Sequence, residues 1–153
     1  MTEQSGAPRR IVVGVDGSPS SVDALRWAVD EARVRGAVVE AVSAWQYQVA
    51  VGWTVPIVPE EDFSDIARKV LDNAIAEVAD AENPVEIHPH VVEGLAAVSL
   101  LTAARDAELL VVGSRGHGGF AGVLLGSVSQ HCVQHAPCPV VVVRHHEDPR
   151  PVK

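Results

Sequence analysis

Short apolar runs and longer amphipathic stretches alternate along the chain. Runs rich in valine, leucine and isoleucine are typical of buried strands, and apolar residues that recur every three or four positions predict the helices between them. Strands are predicted at residues 10–15, 38–44, 85–92, 109–112 and 140–143. Helices are predicted from Ser18 or Ser20 to Arg35, and over residues 61–81, 96–107 and 127–135.

The alternation of strands with helices predicts how the strands pair. Helices supply the long crossovers that parallel strands need, and strands that are apolar at nearly every position are typical of a sheet covered on both faces. We therefore predict an α/β fold, a doubly wound, Rossmann-like five-stranded parallel sheet with helices on both faces. Right-handed crossovers would bring Asp16, Ala44 and Gly113, at the ends of the first, second and fourth strands, to one edge.

Composition and charge limit the domain organisation and the partners. A chain of 153 residues, 47% apolar and 21% charged, suits one domain. We predict a folded domain over residues 10–144, a disordered tail at 1–9 and a flexible tail at 145–153. The net charge of −8 is unfavourable for binding nucleic acid or an anionic membrane surface. Because no stretch predicts a membrane span or a secretion signal, we expect a cytoplasmic protein.

A glycine-rich segment is the strongest chemical signal. Six of the twelve glycines lie in the fourteen residues from Gly113 to Gly126, between the fourth strand and the last helix. Glycine lets the backbone approach a ligand closely, and the free N–H groups at a helix start favour an anion. This arrangement predicts a phosphate-containing ligand, with a flexible connection as the alternative.

Other signatures of nucleotide and metal sites do not match. The turn Gly14-Val-Asp-Gly17 lacks the dinucleotide fingerprint, and the two lysines, Lys69 and Lys153, lie far from the glycines, so there is no P-loop. His131 and His135 have a spacing that can hold a metal, but the sequence near them supplies no third ligand. Cys132 and Cys138 form no C-x-x-C motif, and we expect buried free thiols.

The glycine spacing, together with Asp16 and the order of elements, resembles the universal stress protein family. Gly113-x2-Gly116-x9-Gly126-Ser127 matches the motif G-x2-G-x9-G-[S/T] of its ATP-binding branch. The resemblance covers residues 10–144 and includes Val-Gly-Val-Asp-Gly-Ser at 13–18. It implies an adenine nucleotide alpha hydrolase-like fold and ATP with magnesium as the ligand. It also implies a homodimer through the last strand, Val140–Val143, with the two copies paired antiparallel.

The resemblance also implies a role for each matching residue. Gly14 and Asp16 would lie beside the nucleoside, and the main chain at Ala44 would meet the adenine edge. Gly113, Ser114 and Arg115 would follow the ribose and the first phosphate. The residues expected around the phosphates or a bound magnesium ion are Gly116, His117, Gly118, Gly119, Gly126, Ser127, Val128 and Ser129.

Simpler interpretations remain open at several of these positions. Asp16 is also a common turn residue, and His117 suits a solvated loop as well as a phosphate contact. The apolar stretch at 45–59, with two of the three tryptophans, would be a lid over the base or a loop packed on itself.

The resemblance implies a nucleotide-dependent stress-response or signalling regulator with at most weak ATPase activity or autophosphorylation. No catalytic residue is assigned, so we expect binding rather than enzymatic turnover. The alternatives are a cyclic-AMP sensor or buffer on the same fold, an ATP pyrophosphatase-type enzyme, and an interaction module without a ligand. The pyrophosphatase loop is not matched, because Asp16-Gly-Ser-Pro-Ser-Ser21 lacks paired glycines.

Overall fold

The computed structural model describes residues 8–46, 60–115 and 125–145. Strands and helices alternate through these ranges. The strands are β1 (Arg10–Gly14), β2 (Val38–Trp45), β3 (Ile87–Glu93), β4 (Leu109–Gly113) and β5 (Val140–Val143). The helices are α1 (Pro19–Arg35), α2 (Glu60–Val78), α3 (Ala96–Ala103) and α4 (Ser127–His135).

The five strands form one parallel sheet in the order β3-β2-β1-β4-β5. Alternate residues of β1 face opposite sides. Ile11 and Val13 pack with Leu25 of α1 and Leu71 of α2, whereas Val12 packs in a second core with residues of α3 and α4. Two helices therefore cover each face, which confirms the predicted doubly wound α/β fold.

Helix α1 has a clear start and end. The side chain of Ser18 accepts a hydrogen bond from the Ser21 N–H, and Pro19 occupies the first helical position. At the other end Gly36 adopts a left-handed conformation with φ 68°, and its N–H donates to the carbonyl of Ala32. This end of α1 leads into β2, at the edge of the sheet opposite the ends of β1 and β4.

Two predicted helix ends are wrong by three to four residues. Helix α2 ends at Val78 rather than at residue 81, since the Asp80 carboxylate accepts from the Glu82 N–H at 3.0 Å and holds a turn. Helix α3 ends at Ala103 rather than at residue 107, and Asp106 takes a positive φ of 63°. A side-chain-stabilised turn ends α2, and a backbone turn in which the Ala107 N–H donates to the Ala104 carbonyl at 3.0 Å follows α3.

Described structure extends slightly beyond the predicted domain at both ends. The Arg9 carbonyl accepts from the Val38 N–H at 2.9 Å, which prolongs the β1–β2 ladder. His145 Nδ1 lies 2.7 Å from Asp23 Oδ2. The rest of the two predicted tails, residues 1–7 and 146–153, lies outside the described residues.

Both cysteines are free, as expected. Cys132 is buried and Cys138 is half-buried. Burial raises the pKa of both thiols, so they lack the low pKa that makes a cysteine reactive. In the parts of the chain that the structure describes, no helix is long and apolar enough to cross a membrane.

Two glycines bring helices close to strand ends. A Cβ on Gly113 would lie 2.6 Å from Ser20 Oγ and 2.7 Å from the Ser20 carbonyl carbon. A Cβ on Gly14 would lie 2.8 Å from Cδ1 of Leu100. The first turn of α1 therefore packs directly on the end of β4, and α3 packs on the end of β1.

Alanine at Gly113 should destabilise the protein more than alanine at Gly14. The Gly113 neighbour is backbone, which cannot move aside, whereas the Leu100 side chain can rotate. We expect Gly113→Ala to lower the free energy of unfolding by about 1 to 3 kcal/mol, as overpacking typically does. Urea unfolding of the two variants measures the difference, and equal losses would contradict this description of the packing.

Candidate functional site

The winding of the sheet reverses between β1 and β4. These strands are adjacent, with Val13 opposite Val111. Strand β1 leads into α1 on one face, and β4 precedes α4 on the other, so the chain diverges where the two strands end. In open α/β sheets this is the position of the ligand crevice.

The turn after β1 fixes the carboxylate of Asp16. Oδ1 accepts from the Ser18 N–H at 2.9 Å and from the Ser18 hydroxyl at 2.5 Å. The Asp16 N–H donates to the Ser21 hydroxyl at 3.2 Å, and Gly17 takes a φ of 85°. Asp16 is exposed at the carboxyl edge of the sheet, and its hydrogen bonds to Ser18 show that it also holds the turn.

Serines of the α1 start join this turn to the chain after β4. The Ser20 hydroxyl donates to the Arg115 carbonyl, and the Arg115 N–H lies 3.4 Å from the same hydroxyl. The Ser18 hydroxyl lies 3.4 Å from that carbonyl. The two sides of the crevice are therefore tied together through side chains that the sequence marked only as the start of the first helix.

The start of α4 is held against the end of β4. The Gly126 N–H donates to the Ser114 carbonyl at 2.7 Å, and the Ser114 N–H donates to the Val143 carbonyl of β5 at 2.8 Å. The first hydrogen bond within α4 runs from the Gln130 N–H to the Gly126 carbonyl, at 2.9 Å. The amides of residues 127–129 precede that bond, and the N–H groups of a first helical turn attract an anion.

Ser129 has a structural role. Its side chain is buried, and its hydroxyl donates to the Gly113 carbonyl, which fastens α4 to β4. Ser127, which the sequence paired with it as a hydroxyl ligand, is exposed at the helix start. Of the two hydroxyls, that of Ser127 is therefore the one available to a ligand.

Ala44 lies at the same edge of the sheet, one strand beyond β1. It is in register with Val92 of β3. Just before it, the Val42 carbonyl accepts from the Val15 N–H at 2.8 Å, and just after it the Trp45 carbonyl accepts from the Gly94 N–H at 2.7 Å. The main chain around Ala44 is thus fixed between β1 and the loop after β3.

The structure gathers most of the predicted site residues at one edge. Around the ends of β1 and β4 and the start of α4 it places Gly14, Asp16, Gly113, Ser114, Arg115, Gly126, Ser127, Val128 and Ser129. Four predicted phosphate contacts, Gly116, His117, Gly118 and Gly119, lie outside the described residues. So do residues 47–59 of the apolar stretch that would be a lid or a loop packed on itself.

Asp16 and Arg115 bring a carboxylate and a guanidinium to the crevice. Asp16 and Arg115 are both exposed, and Arg115 follows directly on the buried Ser114. Within the described ranges, no three side chains of histidine, cysteine, aspartate or glutamate are placed to hold a metal ion.

Comparison with known proteins places this arrangement in context. A universal stress protein of Mycolicibacterium smegmatis is 41% identical over 135 residues, covering 88% of this chain and 45% of that protein. The chain spans about half the length of the curated relatives it matches.

Solved structures share the fold. A universal stress protein in complex with cAMP has a TM-score of 0.69 at 26% identity, covering 92% of this chain and all of that one. The universal stress protein of Archaeoglobus fulgidus in complex with dAMP has a TM-score of 0.65 at 26% identity, covering 88% and 97% of the two chains. The sequence profile of the Universal stress protein family matches residues 8–144. The chain belongs to the universal stress protein family.

Proposed function

We propose that this protein binds an adenine nucleotide in the crevice between the ends of β1 and β4, and that ATP with magnesium is the ligand. The observation that carries the proposal is the start of α4, held at the reversal of the winding with its first amides beside the carboxyl edge. The related structures with cAMP and dAMP support an adenine nucleotide.

The phosphates would be bound mainly by backbone. The N–H groups of Ser127 and Val128 carry the positive end of the α4 dipole, and the glycines at 116–119 would wrap the phosphate chain from the other side. Arg115 is exposed where the two segments meet and would offset part of the phosphate charge. An acidic protein can bind a polyanion in this way because the favourable dipoles are local.

The nucleoside would lie toward β1 and β2. Asp16 is held at the edge by Ser18, at a position from which a carboxylate can accept a hydrogen bond from a ribose hydroxyl. The main chain at Ala44 would meet the adenine. Because its flanking carbonyls are bonded within the fold, the backbone there is pre-organised for the base.

The length of the glycine segment favours ATP over a monophosphate. A cyclic nucleotide has one phosphate and needs fewer backbone donors than the glycines and the α4 start together supply. The related complex with cAMP nevertheless keeps a cyclic-AMP sensor or buffer as the second candidate.

Regulation rather than turnover is the proposed role. Asp16 holds the turn after β1, and the hydroxyl of Ser129 donates a hydrogen bond to β4. Both side chains therefore stabilise the structure of the site. We assign no catalytic residue. The nucleotide would instead order the crevice and change the affinity for a partner in a stress or signalling response.

We also propose a homodimer through β5. This edge strand consists of four half-buried valines, an apolar edge that favours pairing with another chain. The carbonyls of Pro139 and Val143 accept hydrogen bonds from the N–H groups of Leu110 and Ser114. Alternate residues of β5 therefore direct their backbone groups toward β4. The N–H groups of Val140 and Val142 therefore point outward and are available for antiparallel pairing with a second copy.

Valine at position 126 should weaken ATP binding without harming the fold. Gly126 has φ −70° and ψ 168°, which valine adopts readily, and it makes no side-chain cap bond that would be lost. The added side chain would crowd phosphate at the helix start. We expect Gly126→Val to raise the Kd for Mg-ATP in isothermal titration calorimetry by about tenfold or more, or about 1.4 kcal/mol.

The matched control is Gly36→Asn at the opposite edge of the sheet. Asparagine tolerates the left-handed conformation there, and a Cβ meets nothing within 4 Å. Its affinity for ATP should equal that of the wild type. Unchanged affinity in Gly126→Val would refute the proposed site, and a preference for cyclic AMP over ATP in competition would favour the second candidate.

Proline at position 142 should convert the dimer to a monomer. It removes an outward N–H and leaves the β4–β5 ladder intact, which is the position where an edge strand tolerates proline. Val142→Thr keeps the N–H and should remain dimeric. Sedimentation velocity measures both variants, and a dimer that persists in Val142→Pro would exclude β5 pairing.

A further inference from the structure

A buried carboxylate lies in the middle of the sheet, away from the candidate nucleotide site. Glu40 belongs to β2, whose first six residues are all buried, and only 8% of it is exposed. It lies opposite Val12 of β1, on the face that α3 and α4 cover. A charged group in such a place needs partners, because burial without them disfavours the ionised form.

Two histidines of the edge strand supply those partners. His88 Nδ1 lies 3.0 Å from Glu40 Oε2, and His90 Nε2 contacts Glu40 Oε1. His88 is in register with Glu40, and His90 is two residues further along the same face of β3. The second ring nitrogen of His88 lies 2.5 Å from Glu86 Oε2. The histidines thus connect β3 to the interior of the sheet.

These contacts close one wall of a cavity between β3 and α3. The cavity has a volume of about 490 Å³, and Glu40 and His90 line it together with Val42 and Val92. The other charged groups that line it are Arg10 from β1 and Glu93 from the end of β3. Helix α3 and the residue before it line the opposite side of the cavity without a titratable side chain. Their lining residues are Leu95, Val98, Ser99, Thr102 and Ala103.

The outer side of β3 offers no substitute for this attachment. The Val39 N–H donates to the Glu86 carbonyl, so alternate residues of β3 direct their backbone groups toward β2. Pro89 falls between them, and its nitrogen, which carries no hydrogen, faces outward. A further strand pairing with the outer edge of β3 would lack a hydrogen-bond donor at Pro89. The contacts that hold β3 in the sheet therefore come from β2.

We propose that Glu40, His88 and His90 form a pH-sensitive clamp that fastens edge strand β3 to the sheet and closes the wall of the cavity. The clamp is strongest when Glu40 is ionised and His88 is protonated. In that state the His88 imidazolium donates a charge-assisted hydrogen bond to the carboxylate, and His90 adds its contact with the other carboxylate oxygen.

The direction of the pH dependence follows from the two sides of the clamp. Hydrogen bonds to Glu86 and Glu40 raise the pKa of His88 above its ordinary 6.5, so its contribution is complete below pH 6.5 and is lost as the pH rises through the raised pKa. Burial opposes ionisation of Glu40, but hydrogen bonds from His90 and His88 outweigh it and lower its pKa below 4.5. Its contribution is complete above pH 4.5 and is lost in stronger acid. The clamp is therefore fully closed between about pH 4.5 and 6.5, and it loosens as the pH rises through the raised pKa of His88.

Hydrogen exchange of the β3 amides tests the clamp. Protection factors, corrected for the intrinsic exchange rate, are measured for Val92, whose N–H faces β2, relative to β1 at pH 5.5 and pH 8.0. In the wild type we expect this relative protection to fall severalfold at the higher pH, because His88 loses its proton and with it the charge-assisted hydrogen bond to Glu40. In Glu40→Gln the fall should disappear.

Glu93→Gln is the matched control, because it neutralises a carboxylate of β3 that lines the cavity but lies outside the clamp. It should keep the wild-type pH dependence. If Glu40→Gln does not fold, His88→Gln, at a half-buried position of β3, should likewise abolish the fall. Equal pH dependence in the wild type and in the clamp variants, or a fall of the same size in β1, would overturn the proposal.

Discussion

The close approach of the first turn of α1 to the end of β4 is the contact on which the site depends. Gly113 has no side chain, and this allows Ser20 to reach the chain after β4 and bond to the Arg115 backbone. Without that contact the β1 turn and the β4 end would meet only through the sheet. With it, Asp16 and the start of the glycine segment are held in one rigid edge.

Glycines near this edge have two different functions. Positions 113 and 14 need glycine because α1 and α3 pack against them and leave no room for a side chain. This is a requirement of core packing rather than of ligand binding. Gly126 has an ordinary φ and begins α4, so its small size is not needed for its backbone conformation. The packing glycines position the edge, and Gly126 leaves room at the helix start for the proposed phosphate.

The sequence predicted the elements of the fold well because their signals are local. Strand runs, the Ser18 cap, Gly36 and the start of α4 each depend on neighbouring residues. Helix ends were less accurate, since turns at Asp80 and Asp106 compete with the helix in ways that periodicity does not show. Asp16, Ala44 and Gly113 were predicted at one edge because parallel strands end there together.

Long-range side-chain contacts could not be predicted. The bond from Ser20 to Arg115 joins residues 95 apart, and His90 contacts Glu40 across 50 residues. His88 and His90 alternate along a strand as surface histidines do, and only the β2–β3 register brings the buried Glu40 carboxylate to them. Their role depends on pairing that one strand alone does not reveal.

Amide chemical-shift mapping by NMR tests the central claim most directly. The claim is that an adenine nucleotide binds where the winding reverses, on the first turn of α4 and the turn after β1. On adding Mg-ATP, the largest shifts should fall on Ser114, Ser127 and Val128, with smaller ones at Asp16 and Ala44. Shifts confined to the cavity between β3 and α3, or no shifts at millimolar ATP, would contradict it.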